Sequence, residues 1–199
     1  KIREKDNQWK KAIESYRTCL ESADSAEWAK AEAVHSIGRI QFMLGYREDE
    51  NSYYEKAIET FSELTEKFPQ SRFAPDGWVQ IGQAHVRLGK LDEARTQFKA
   101  ALDPKREYPE LYTLRARVGL ARILVLEAQK LPKRERMEKL NAAVSSANGI
   151  MDSVEKATDP NLREFRYEAL LVKAEALLEL GEFDVENRRR AEEICQDIV

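Results

Sequence analysis

Trp78, Ile81, Gly82 and His85 fall at i, i+3, i+4 and i+7, one face of a helix. Gly89 follows, where a helix C-terminus needs a residue free to take positive φ. Ala94, Phe98 and Ala101 then form the apolar stripe of a second helix. The same two-part pattern recurs. Val34, Ile37, Gly38 and Gln41 repeat the first stripe, closed by Gly45, and Ala57, Phe61, Leu64 and Pro69 repeat the second. Ala12, Tyr16 and Cys19 carry a second-helix stripe without its first helix. Further on, Val118, Gly119 and Arg122, then Leu170, Ala174 and Leu177 with Gly181, return to the first-helix spacing, and Ala191, Cys195 and Ile198 close the series. Ala57 to Ala94 and Gly82 to Gly119 are both 37 residues. A helix pair repeated at fixed period cannot bury its apolar face alone, so the chain must stack its pairs.

The expected fold is therefore all-α, a right-handed superhelical solenoid of antiparallel helix pairs. Small residues at Gly38, Gly82, Gly119 and Ala174 let the partner helix approach, and aromatics at Tyr16, Phe61 and Phe98 fill the space between pairs. One solenoid over 1–199 divides into a partial repeat at 1–25, repeats at 27–70 and 72–107, a divergent repeat at 109–157 and a terminal one at 160–199. Residues 46–53 (YREDENSY) read as an inserted solvated loop. A start at a second helix and an end inside QDIV suggest a segment of a longer polypeptide. Only 8 Gly and 6 Pro leave too little punctuation for a β-rich alternative.

The block 75–104 resembles the tetratricopeptide repeat, whose pattern runs W-x2-L-G-x2-Y, then A-x3-F-x2-A, then P. His85 stands at the Tyr position and Pro104 closes slightly early. The junction FPQSRFAPDG resembles that of bacterial envelope tetratricopeptide proteins of the outer-membrane assembly and Tol–Pal systems. The resemblance implies a scaffold that binds a protein or peptide, with a periplasmic or cell-envelope setting, the cytoplasm being the alternative.

In such a fold the first helices line the concave groove. The expected groove residues are His35, Arg39 and Phe42, then Val79, Gln80, Gln83 and Arg87, then Arg117 and Leu120. A row of Arg39, Arg87 and Arg117 suits a carboxylate-bearing peptide, because guanidinium binds carboxylate through two parallel hydrogen bonds. The carboxylate-clamp subtype of the family uses Lys and Asn at set positions. Here His35 and Arg39, then Val79 and Gln83, stand there, so a chaperone-tail role is disfavoured.

Nothing in the sequence supports catalysis. The two histidines, His35 and His85, lie apart, and His85 reads as a packing residue. No His/Cys cluster has metal-ligand spacing, no Gly-rich phosphate loop occurs, and no cofactor is expected. Glu48, Asp49 and Glu50 lack the glycine and spaced ligands of a calcium loop. The clusters at Lys133, Arg134, Arg136 and at Arg188, Arg189, Arg190 read as solvated faces. Cys19 and Cys195 read as small core residues. A net charge of −3 argues against nucleic acid as the main ligand. No apolar run approaches the roughly 18 residues of a membrane span. Two rival functions remain: a recruiting or regulatory arm of a larger enzyme, and self-association through 105–199, with Ile194, Ile198 and Val199 on the end helix.

Overall fold

The computed structural model describes the backbone of residues 2–198 and the side chains of residues 8–196. Among these residues there are nine α-helices and no strand, so the chain is all-α. Ile198 and Val199, assigned above to the apolar end helix, lie outside the described side chains. The chain divides into two compact units, Lys1–Arg106 and Glu107–Val199.

The first unit holds α1 (Ile2–Glu21), α2 (Glu27–Glu48), α3 (Asn51–Lys67), α4 (Ala74–Arg87) and α5 (Leu91–Ala101). Each helix packs on the next, so α3 and α4 are each held on two sides. Glycine sets the closeness of both pairs. A Cβ on Gly38 would stand 2.8 Å from the Phe61 ring, and one on Gly82 would stand 2.7 Å from Phe98. Both phenylalanines are fully buried, each contributing about 1.5–3 kcal/mol. The α4–α5 link turns on Gly89 at φ 72, with the Lys90 N–H donating to the His85 carbonyl as in a helix-ending glycine motif.

Residues 46–53 are not a loop. Helix α2 continues to Glu48 and α3 starts at Asn51, leaving only Asp49 and Glu50 between them. The stretch has no Gly or Pro to break a helix, so each helix gains about a turn at the end of the pair. Gly45 is accordingly not a helix end: it is buried inside α2, where a Cβ would meet the Tyr54 ring at 3.0 Å. The turn is made by Asp49 at φ 51, with the Glu50 N–H donating back to the Gly45 carbonyl.

The second unit holds α6 (Glu110–Ala128), α7 (Lys133–Lys156), α8 (Glu164–Leu180) and α9 (Val185–Ile198) around its own core. Here α6 packs on both α7 and α8, and α8 on both α7 and α9. The register of the α6–α7 pair differs from the sequence expectation. Arg117 donates to the Gly149 carbonyl and Ser153 hydroxyl, and Lys139 donates to Glu127. In an antiparallel pair those contacts set Ala121 opposite Ala147, both fully buried. Ala121, not Gly119, therefore takes the close-approach place of Gly38 and Gly82, and Gly119 is only half-buried. The α7 stripe runs Leu140, Ala143, Ala147, Ile150 and Val154. In α8 a Cβ on Gly181 would stand 2.9 Å from the Arg188 Cβ, a register that aligns Ala174 with Cys195. Cys195 is nevertheless exposed and Cys19 half-buried, so neither is a fully buried core residue: no further helix covers that side of α9 among the described residues.

Candidate functional site

Residue roles on the first helices follow from position relative to the small residue of each pair. In α2, three residues before Gly38, stands His35. It is buried, and its Nε2 lies 2.7 Å from Oδ2 of Asp76, six residues before Gly82 in α4. Phe73 stacks on the imidazole at 4.8 Å, and Phe61 meets it edge-on at 6.1 Å. The pair ties α2 to α4 and is closed to an incoming ligand. Val79 is also fully buried, because a branched apolar side chain at that place joins the core. His35 and Val79 are thus removed from the accessible groove set.

What remains open in the first unit is a row on α2. Arg39 is exposed, Met43 is 44% exposed and Tyr46 61%. At offsets of four and three, they share one face. Phe42 lies beside them, half-buried and edge-on to Tyr54 at 5.3 Å. From α4, Arg87 places its guanidinium 5.3 Å from the centre of the Tyr46 ring, a cation–π contact that joins the two helices at the surface. Gln83 and Gln80 are half-buried, and the Gln80 amide reaches Asp76 at 3.4 Å. Trp78, facing the other way, is half-buried beneath the Arg106 guanidinium at 4.8 Å. His85 is a packing residue in geometry. Its Nδ1 is buried without a hydrogen-bond partner, and burial pushes its imidazole below the usual pKa, opposed by Glu93.

Arg117 leaves the expected arginine row. Both its hydrogen bonds run to α7, the partner helix of its own pair, so it occupies the place that Trp78 holds in the previous pair. Leu120 is half-buried on the same helix. The residue that the Ala121 register aligns with Arg39 is Arg122, which pairs with Glu175 of α8 at 3.1 Å. Around it, α6 and α8 enclose a cleft of roughly 480 Å³ lined by Leu126, Gln129, Leu178, Glu179 and Glu182. Burial works against ionised Glu179, but hydrogen bonds from Arg136 and Gln129 hold its pKa below the usual carboxylate range. This acidic, leucine-bearing face was hidden from sequence reasoning by the two-residue register error.

No group of three or more His, Cys, Asp or Glu side chains able to hold a metal occurs among the described residues. No helix among them is long and apolar enough to cross a membrane. The cleft residues offer charge and apolar surface, with no nucleophile held beside a base.

Comparison with known proteins agrees with the helix-pair fold. The sequence profile of the tetratricopeptide repeat matches residues 42–111 and, in an overlapping placement, 79–149. The human protein O-mannosyl-transferase TMTC2 is 31% identical over 104 residues, covering 48% of this chain. The match spans only 12% of the human protein's length. No solved structure matches the chain.

Proposed function

Because the chain belongs to the tetratricopeptide repeat family, we propose that it is a non-enzymatic scaffold whose first helices hold a protein or peptide partner. The observation that carries this reading is the open row of Arg39, Met43 and Tyr46 with Arg87 seated on the tyrosine ring. Among the described residues Arg39 has no hydrogen-bond or ion-pair partner, and its guanidinium can take a carboxylate through two hydrogen bonds. Met43 and Tyr46 supply adaptable apolar contact beside it. A partner segment with acidic and apolar side chains fits this row. The reading is tested by capturing partners with wild type and with a folded Arg39→Ala/Arg87→Ala variant. A partner held by wild type and lost by the variant supports it, whereas equal capture by both removes this face from consideration.

A second reading, a recruiting or regulatory arm of a larger enzyme, is favoured by one observation: the human relative is named as a transferase. It expects the captured partner to be a substrate of a catalytic domain in the same polypeptide. If the captured partner is untouched by any such domain, this second reading falls and the scaffold stands alone. Neither the family match nor the human relative supports the bacterial envelope setting implied by the 68–77 junction.

A further inference from the structure

Helix α8 turns three large apolar side chains outward: Tyr167 is 50% exposed, Leu171 44% and Leu178 47%. Their offsets of four and seven residues place them on one face, while Phe165, Ala169, Val172 and Leu180 of the same helix are buried in the core. An exposed apolar row along one helix face marks an interaction surface, unlike single scattered residues. Its flank is acidic. Glu164, Glu168, Glu175 and Glu182 follow the row along the same side of the chain.

Glu168 separates this face from an ordinary solvated one. The Ala174 alignment puts it where Asp76 stands in the first unit, six residues before the close-approach residue. Asp76 is met by His35. The Ala121 alignment puts Val118 where His35 would be, and valine offers no proton or charge. Glu168 is half-buried and accepts no hydrogen bond among the described residues. Burial pushes its carboxyl above the usual range against the nearby Arg115, and Glu164 adds to the rise. Arg115 lies 3.6 Å from Glu164, and Arg122 is engaged by Glu175.

We propose that the α8 face docks a short basic amphipathic helix of another protein, its aliphatic side chains on Tyr167, Leu171 and Leu178 and a Lys or Arg on Glu168. This rests on the scaffold reading and names the partner class for its second unit. Charge decides the occupant. Arg115, Arg122 and Arg136 pair with Glu164, Glu175 and Glu182, which leaves Glu168 as the flanking carboxylate without an ion pair among the described residues. A cationic segment complements it where an acidic helix, nucleic acid or anionic lipid does not. The row from Tyr167 to Leu178 is about 16 Å long, three turns of a partner helix.

The test pans a phage-displayed library of random peptides, about 16 residues long to cover that row, on the full chain. The enriched sequences are expected to combine Lys or Arg with Leu, Ile or Val. The strongest, made synthetically, is measured by fluorescence anisotropy. It should bind a Leu171→Ser/Leu178→Ser variant at least about ten-fold more weakly and Glu168→Gln about three- to ten-fold more weakly. Circular dichroism confirms that both variants remain folded, since the two leucines are half exposed. Arg39→Ala/Arg87→Ala should leave this affinity unchanged. Acidic enriched sequences, no enriched sequence, or equal binding to the leucine variant overturns the proposal. Binding lost only in the arginine variant overturns it while leaving the scaffold reading intact. A wild-type dimer in sedimentation equilibrium that the leucine variant abolishes also overturns it, assigning the face to a second copy.

Discussion

Asp76 is buried at the first turn of α4, where the helix dipole favours negative charge, and its close contact with His35 supplies a hydrogen bond that water no longer can. Removing one member of such a pair leaves the other desolvated, whereas removing both relieves the penalty. His35→Ala should therefore cost about 3 kcal/mol, and His35→Leu/Asp76→Leu should recover most of that loss, both read by urea unfolding. Costs that simply add would mean that the two side chains act independently. Glu168 presents the opposite case, a carboxylate that folding disfavours in its charged form. Its folded pKa lies above its unfolded one, so the penalty is absent below the ordinary carboxylate range and complete above the raised value. Glu168→Gln should raise the melting temperature at neutral pH by about 1–3 °C, with the gain vanishing as pH falls through that window. A gain that persists at acid pH would show that repacking, not charge, is responsible.

At the scale of helices, the turn joining α2 to α3 depends on Asp49 in a left-handed conformation, which costs most L-residues about 1–2 kcal/mol and glycine nothing. Asp49→Gly should leave the fold intact and stabilise it by up to about 1 kcal/mol. A loss of stability in chemical denaturation would mean that the aspartate side chain itself holds the turn. The α2–α3 and α4–α5 pairs were legible in the sequence because Gly38 with Phe61, and Gly82 with Phe98, combine a residue with no Cβ and a ring that fills the gap. That pairing leaves a fixed spacing in the chain. In the α6–α7 pair the register set by the Arg117 and Lys139 hydrogen bonds puts Ala121 opposite Ala147, two residues too common in helices to stand out, and Gly119 offered a false anchor two positions away. The error carried Arg117 into the expected face and left Arg122 and Glu175 out of it. His35 and Asp76 were unreadable for another reason. They sit in different repeats, and only packing of α2 against α4 makes either a partner of the other.

At the scale of the molecule, each unit owns a hydrophobic core: Val34, Phe61, Leu64 and Ile81 in the first, and Leu140, Ile150, Phe165 and Val172 among others in the second. Their candidate faces differ in sign, Arg39 and Arg87 against Glu168 of α8, so the two proposals call for partner segments of opposite charge. In a repeat fold stability is set by neighbouring pairs, and a change in one core need not be felt equally in both units. The three tryptophans, Trp9, Trp28 and Trp78, all lie in the first unit, so tryptophan fluorescence reports that unit while far-ultraviolet circular dichroism reports both. Gly82→Ala pushes a methyl group into the Phe98 ring, where a Cβ would stand 2.7 Å away, and should cost about 1–3 kcal/mol. The urea midpoint by fluorescence should fall with that loss, while the dichroism curve broadens because the α6–α9 signal keeps its wild-type midpoint. If the two probes instead fall together, the helices unfold as one cooperative body and the division at Arg106 has no thermodynamic meaning. An unchanged fluorescence midpoint would remove Gly82 from its place between α4 and α5, and with it the alignment on which both candidate faces depend.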